Sequence, residues 1–315
     1  MKTIVLFFVL IVSSVCVNAQ SKYESVDTYV QSLGSLDSFN VATIADTLTL
    51  SFPTKEQKAR AIFYWIANNI QPDLRAIKSN DNRKTDPEVV LQSRRTTGLG
   101  YAKLVQEMMS LANIRCLTVD GYTKRSDEDI NSTGGEPNHS WNVVQLGASP
   151  TEWFYIDAAM AAGTIDKKIS LFTKDFISEF FFANKNVFNQ LHFPDNDAWL
   201  LGEGPSSVKH FYQLPVYHPH AMALGVQTPT PSIGTFKSKM SVPVNFSFLY
   251  SGKTPETIEI STGDARRATP PKKVEFSAAD GMIKFRHYFL KDDIYPVRLL
   301  ADGKVILEWH AEITE

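Results

Sequence analysis

Apolar residues recur at helical spacing in two segments of the first third of the chain. Residues 54–70 carry one apolar stripe, which consists of Ala59, Ile62, Phe63, Ile66 and Ile70. Thr54 and Gln57 have the spacing of a capping box, and Pro72 stops the helix. Residues 86–114 carry a second stripe, which consists of Tyr101, Val105, Met108 and Ala112. We therefore predict one helix in each of the two segments.

Strand patterns follow these helices. Residues 115–124, 139–146 and 152–159 are rich in β-branched and aromatic residues, as strands are. Because the helices come first and the strands then succeed one another, the order favours an α+β fold over a doubly wound sheet. No glycine-rich phosphate-binding motif stands between a strand and a helix. We therefore expect no nucleotide cofactor.

From about residue 227 the pattern predicts short strands only. Residues 227–238 are rich in Pro, Ser and Thr and predict a linker. Alternation then predicts strands within residues 242–251, 256–263, 272–280, 282–290 and 295–313. Asp302 and Gly303 lie between two β-rich runs and predict a type I′ hairpin turn. By fold-level analogy, we expect residues 227–315 to form an immunoglobulin-like β-sandwich.

The first 19 residues have the pattern of an export signal. Lys2 precedes an apolar run that is short for a bilayer span, and the run ends in small residues at Ala19. We expect residues 1–19 to be removed and the mature protein to be secreted or periplasmic, without a transmembrane segment. Cys16 lacks the sequence context for lipid anchoring. Its removal leaves Cys116 as the single thiol, so we expect no internal disulfide.

Composition and charge narrow the class of partner. Lys+Arg 32 against Asp+Glu 34 give a formal net charge of −2, which offers no broad attraction for nucleic acid. A chain of 315 residues exceeds the usual size of one core, so we expect two domains. His210, His218 and His220 lie in a connection whose Pro content is more typical of a loop than of a metal site. We therefore predict neither a metal nor a cofactor.

Eight ordered segments run from about Lys58 to Pro215, and they include "KARAIFYWIANNI", "GYAKLVQEMMSLANI", "HSWNVVQL" and "WFYIDAAMAAG". Together they resemble the transglutaminase-like family, in particular the branch similar to kyphoscoliosis peptidase. The resemblance implies a papain-like core within residues 20–226. In such a core a Cys at a helix N-terminus, a His on one strand and an Asp on the next form a triad for acyl transfer or amide cleavage.

The resemblance places two members of this triad and leaves the third position without a side chain. It assigns the His to His139 of "HSWNVV" and the Asp to Asp157 of "YIDAA". The family's Cys stands two residues before the Gly of "GYA", and that position is Gly98. Because glycine cannot attack a substrate, we predict a pseudoenzyme that binds or scaffolds a protein or cell-envelope partner.

Several alternatives stay open. Thr97 could act as the nucleophile of an active peptidase or acyltransferase, although its Cβ would point about 100° around the helix from the required direction. Cys116 falls on a predicted strand, where a buried thiol is expected. His139 and Asp157 are too few ligands for a tight metal site. The pair could also serve only to join two strands, with a relict cleft above it. The partner and the oligomeric state stay open.

Overall fold

The computed structural model describes residues 22–147, 149, 152–263 and 269–315, so residues 1–19 and Cys16 lie outside the described part. The helices are α1 (Glu24–Ser32), α2 (Val41–Thr49), α3 (Lys55–Asn69), α4 (Leu74–Lys78), α5 (Pro87–Ser93), α6 (Gly98–Leu111), α7 (Ala158–Ala161), α8 (Lys185–Leu191), α9 (Val208–Gln213) and α10 (His220–Leu224). Within the described ranges, no helix is both long enough and apolar enough to cross a bilayer.

The strands lie mostly in the second half of the chain. They are β1 (Gln71–Pro72), β2 (Arg95–Thr96), β3 (Arg115–Thr123), β4 (His139–Gln145), β5 (Trp153–Ile156), β6 (Gly163–Ile165), β7 (Phe172–Lys174), β8 (His192–Pro194), β9 (Val216–Tyr217), β10 (Gln227–Thr230), β11 (Thr235–Lys239), β12 (Pro243–Leu249), β13 (Ile258–Thr262), β14 (Lys272–Val274), β15 (Phe276–Ala279), β16 (Met282–Tyr288), β17 (Asp293–Ala301) and β18 (Lys304–Thr314). Helices followed by mainly antiparallel sheets confirm the predicted α+β class.

The first predicted helix forms as expected, and the second is wrong as one element. α3 begins after Thr54, whose side chain accepts a hydrogen bond from the Gln57 amide, and it ends before Pro72. Residues 86–114 instead form two helices, α5 and α6. Arg94 adopts a left-handed conformation with φ 54°, and the next two residues form β2, which pairs in parallel with β1. The apolar stripe lies wholly after this break, so its periodicity carried no information about where the helix begins.

The helices pack against a four-stranded antiparallel sheet of order β5–β4–β3–β8. α6 lies across β3 and β4. Two buried hydrogen bonds fix this helix: the Tyr101 hydroxyl donates to the Ile70 carbonyl at 2.7 Å, and Asn142 Nδ2 donates to the Ala102 carbonyl at 2.9 Å. The first residues of α6 are thereby held beside the start of β4.

The β-rich C-terminal region is confirmed and consists of two sheets. One has the order β10–β12–β16–β15, and the other contains β11, β18, β17, β13 and β14, with β9 also pairing with β18. The aromatic rings of Phe236, Phe246 and Trp309 join the two sheets. Asp302 and Gly303 turn between β17 and β18 with φ of 48° and 76°, as the hairpin prediction requires.

Two finer expectations for this region are wrong. The predicted linker, residues 227–238, contributes β10 and β11, because its backbone pairs with β12 and β18. The predicted strand at residues 272–280 is divided between the two sheets: β14 pairs with β13, and β15 pairs with β16. A short alternating run fits either sheet, so the alternation could not reveal the crossing.

One of the three histidines of the Pro-containing connection, His218, joins it to a C-terminal sheet. His218 Nε2 lies 3.1 Å from Glu308 Oε2, and His220 Nε2 lies 3.0 Å from Asp175 Oδ2. His210 instead accepts a hydrogen bond from the Ser206 amide on the surface. The three histidines of the Pro-containing connection therefore have separate partners in the structure.

Candidate functional site

The N-terminus of α6 is built from close backbone contacts. Thr97 is the N-cap in extended conformation, and its side chain makes no capping hydrogen bond. A side chain at Gly100 would overlap the Thr96 hydroxyl, so the approach of β2 to the helix requires glycine there. The amide groups of the first helical turn have no intrahelical acceptor, and they carry the positive end of the helix dipole.

Gly98, the first residue of α6, faces the imidazole of His139. An ideal Cβ on Gly98 would lie 2.5 Å from His139 Nδ1 and 2.9 Å from its Cε1. Both distances are shorter than an ordinary van der Waals contact, so the ring occupies the space that a side chain at this position would need. The structure therefore brings Gly98 and His139 together, as the sequence predicted.

His139 is oriented by Asp157, the other predicted site residue. His139 Nε2 lies 2.6 Å from Asp157 Oδ2, and His139 is the first residue of β4, while Asp157 directly follows β5. Because the carboxylate faces Nε2, that nitrogen carries the proton of the neutral ring. Nδ1 is then an unprotonated base directed at Gly98. This is the orientation that a His–Asp pair adopts when it serves a nucleophile.

A second histidine, His192, completes the network and was missed by the sequence analysis. Its Nε2 lies 3.0 Å from Asp157 Oδ2, and its ring stacks on Phe188 at a centroid distance of 3.8 Å. Asp157 also accepts a hydrogen bond from the Met160 amide at 2.9 Å, which caps α7. His192 lies in one of the eight family-like segments, residues 180–201, but the resemblance assigned it no role, so its place in the network comes from the structure.

Burial and charge set the protonation of this network. Burial opposes ionisation of Asp157, but the two imidazoles outweigh burial and hold the pKa of its carboxyl well below the usual range. Burial lowers the pKa of His192, and its hydrogen bond to Asp157 offsets only part of that effect. At neutral pH the network therefore contains a carboxylate and a neutral His192 that donates Nε2–H to it.

His139, Asp157 and His192 are also a candidate metal set. Their ligand atoms lie within 4.8 Å of one another. However, the two Nε2–Oδ2 distances are 2.6 and 3.0 Å, whereas ligands of a tetrahedral zinc ion are separated by roughly 3.3 Å. The spacing fits shared protons better than a shared ion, and hydrogen bonds already satisfy the carboxylate.

The alternative nucleophiles have other surroundings. The Thr97 hydroxyl donates a hydrogen bond to Asn82 Oδ1 at 2.6 Å, so its proton is directed away from an attack geometry with His139. Cys116 is buried on β3, and burial raises the pKa of its thiol far above neutrality. A thiol at position 98 would lie beside His139 Nδ1, which could activate it. Neither Thr97 nor Cys116 has such a contact.

An open cleft of about 720 Å³ lies over the site. Its walls include Gly98, His139, Ser140, Met160, Ile165 and Phe172. The lining combines apolar side chains with polar and charged ones, Asp120, Arg125 and Glu136 among them, as ligand-binding clefts often do. Its size is sufficient for several residues of an extended peptide.

The network predicts a loss of stability on acidification. A depressed pKa in the folded state means that His192 stays neutral there while the unfolded chain takes up a proton below about pH 6.5. The free energy of unfolding should therefore fall between pH 7 and pH 5, and fall again below about pH 4, where the unfolded state protonates Asp157. Urea unfolding at a series of pH values measures this.

The variant His192→Gln provides the control, because glutamine retains an N–H donor but does not titrate. It should reduce the slope between pH 7 and pH 5. His220, whose pKa is also lowered by burial, contributes in the same direction and leaves part of the slope in place. An identical pH dependence in wild type and His192→Gln would contradict the assignment.

Comparison with known proteins shows which family the chain is similar to. Residues 42–158 match the sequence model of the transglutaminase-like superfamily. Human kyphoscoliosis peptidase is 29% identical over 243 residues, which are 74% of this chain and 36% of the relative. Mouse kyphoscoliosis peptidase is 30% identical over 208 residues, which are 62% of this chain and 31% of the relative. Cytokinesis protein 3 of Schizosaccharomyces pombe is 29% identical over 139 residues, which are 44% of this chain and 15% of the relative.

The matched region contains the whole Gly98–His139–Asp157 arrangement. The chain spans about a third of the length of the two kyphoscoliosis peptidases. These comparisons confirm the resemblance that the sequence segments indicated. Residues 42–158 are therefore similar to the transglutaminase-like superfamily, and the chain resembles kyphoscoliosis peptidase over a longer stretch.

Proposed function

We propose that this chain is an exported protein whose transglutaminase-like domain binds a polypeptide of a protein or cell-envelope partner without cutting or modifying it. The observation that carries the proposal is the position of Gly98. The place that faces His139 Nδ1 at 2.5 Å, at the start of a helix, has no side chain. Without a thiol or hydroxyl there, the imidazole has no nucleophile to deprotonate.

The cleft supports retained binding rather than a relict groove. A relict site could be filled by its own side chains, whereas about 720 Å³ remains open beside Gly98 and His139. The network beneath the cleft also keeps its hydrogen bonds, because Asp157 accepts from both His139 and His192. An oriented histidine on an open cleft can still accept a hydrogen bond from a bound backbone amide through Nδ1.

An active peptidase or acyltransferase is the rival function. Two of the relatives are named as peptidases, and this chain would share such an activity only through a different nucleophile. Thr97 is adjacent to the vacant position, but its hydroxyl already donates to Asn82. It would have to break that bond and rotate before His139 could activate it. The rival therefore has no preformed geometry in its favour.

Export rests on the sequence alone. Lys2, the apolar run and the small residues before Gln20 support a signal segment, and they lie outside the described residues. Expression of the full chain in a secreting host, followed by N-terminal sequencing of the released protein, tests this part. A new N-terminus at Gln20 is expected, and retention of the uncleaved chain in the cytoplasm would contradict it.

The proposed function is tested with unfolded casein as the probe, because it offers both glutamine and lysine side chains. Wild type and His139→Ala should show no casein hydrolysis and no incorporation of a fluorescent amine, while casein peptides bind the wild type in fluorescence anisotropy. Turnover by wild type that disappears in His139→Ala would overturn the proposal and favour the peptidase or acyltransferase.

A further inference from the structure

A short hairpin forms one wall of the cleft. β6 and β7 pair antiparallel, with Thr164 opposite Thr173 and Ile165 opposite Phe172. All of β6, together with Phe172, lines the same cleft as Gly98 and His139. Within the described part of the chain, these two strands form a sheet of their own. The outer edge of β6 therefore has no neighbouring strand.

The hydrogen-bond pattern shows which backbone groups this edge presents. The Asp166 amide donates to the Leu171 carbonyl, and the Asp175 amide donates to the Ala162 carbonyl. In an antiparallel pair the bonded positions alternate, so Thr164 is the bonded residue of β6. The N–H and C=O groups of Gly163 and Ile165 point away from β7, along the edge that borders the cleft.

This edge is held in place and is partly apolar. Lys167, at the turn of the hairpin, forms an ion pair with the buried Asp127 at 3.0 Å. Lys174, at the far end of β7, donates to the Asn68 carbonyl at 2.8 Å. Ile165 is 37% exposed beside the partly buried ring of Phe172. The hairpin thus offers a fixed strand edge with an apolar surface.

We infer that the partner binds as an extended polypeptide segment that adds a strand to the outer edge of β6, with an apolar side chain against Ile165 and Phe172. This inference rests on the proposed function and specifies how its ligand is held. Along the outer edge of β6, unpaired N–H and C=O groups occur at every second residue. The backbone of an extended polypeptide presents its own N–H and C=O groups with the same spacing, so the two can pair. A segment on this edge lies in the cleft that also contains His139.

A pair of proline variants tests the inference. Ile165→Pro removes an outward N–H from the edge of β6 and leaves the bonds to β7 intact, because position 165 does not bond to β7. Lys174→Ala removes only the side-chain bond to the Asn68 carbonyl. Lys174→Pro removes, in addition, an outward N–H from the opposite edge of the hairpin at a residue that does not line the cleft, so the difference between these two variants is the matched control. Fluorescent peptides from unfolded casein are the probe. We expect Ile165→Pro to weaken binding at least about 10-fold relative to wild type, and Lys174→Pro to bind within about 2-fold of Lys174→Ala.

Hydrogen exchange of the unmodified protein gives an independent readout that does not depend on the folding of a variant. Casein peptide should slow exchange of the Gly163 and Ile165 amides. If the amides near Gly98 and His139 are protected while those of Gly163 and Ile165 exchange unchanged, the inference is overturned and the proposed function stands. If no casein peptide protects either region, both are overturned.

Discussion

Gly98→Cys is expected to give the protein an amidase and amine-transfer activity on casein at least about 100-fold above that of wild type. The thiol would stand at the N-terminus of α6 and beside His139 Nδ1, and both features favour the thiolate. The new Cβ requires the His139 ring to move by roughly 1 Å, since the present separation is 2.5 Å and an ordinary contact begins at 3.4 Å. Both atoms closest to the new Cβ belong to the His139 side chain rather than to backbone, so the ring has to shift while it keeps its bond to Asp157.

Three variants control this result. Gly98→Ala introduces the same Cβ without a thiol and should be silent. The double variant Gly98→Cys, His139→Ala should lose most of the gained activity, because the thiol then lacks its base. The double variant Gly98→Cys, Thr97→Val should keep it, because the Thr97 hydroxyl bonds to Asn82 and not to the site. Activity of Gly98→Ala equal to that of Gly98→Cys would contradict the assignment of position 98.

Asp157→Ala is expected to lower the free energy of unfolding by about 3 kcal/mol. The change removes the carboxylate partner of the fully buried His192 and also the N-cap of α7. His139→Ala should cost only about 1 kcal/mol, because His139 is partly exposed and Asp157 keeps its other two donors. Urea unfolding of both variants at pH 7 measures the difference.

The order of the two effects distinguishes the roles of these residues. If the Asp157 carboxylate has a structural role and also supports His139 on the cleft wall, Asp157→Ala should lower the free energy of unfolding more than His139→Ala does. Equal losses for Asp157→Ala and His139→Ala would mean that His192 is not held by the carboxylate, and would contradict the network as described.

The sequence correctly predicted those elements that are determined by residues close together in the chain. The apolar stripe of α3, its cap at Thr54 and the turn at Asp302–Gly303 depend on residues within a few positions of one another, and all three form as predicted. The break between α5 and α6 depends on pairing with β1, which comes from a distant segment. Periodicity within 86–114 carries no information about that partner.

The site residues also divide into those that the sequence could predict and those that it could not. Gly98, His139 and Asp157 could be placed because each lies in a motif with a fixed family spacing. His192 could not, because its role arises from β8 pairing with β3 and from its stacking on Phe188. The edge of β6 was likewise invisible in the sequence, since an edge is defined by the absence of a neighbouring strand.

The most direct test of the central claim combines binding and chemistry in one sample. Wild-type protein is mixed with casein peptide, hydrogen exchange is followed at the amides of residues 98–100 and 139–140, and the peptide is then weighed by mass spectrometry. We expect slowed exchange at these amides and a peptide of unchanged mass. Cleaved or amine-modified peptide, or exchange that the peptide leaves unaltered, would contradict a cleft that binds polypeptide without turnover.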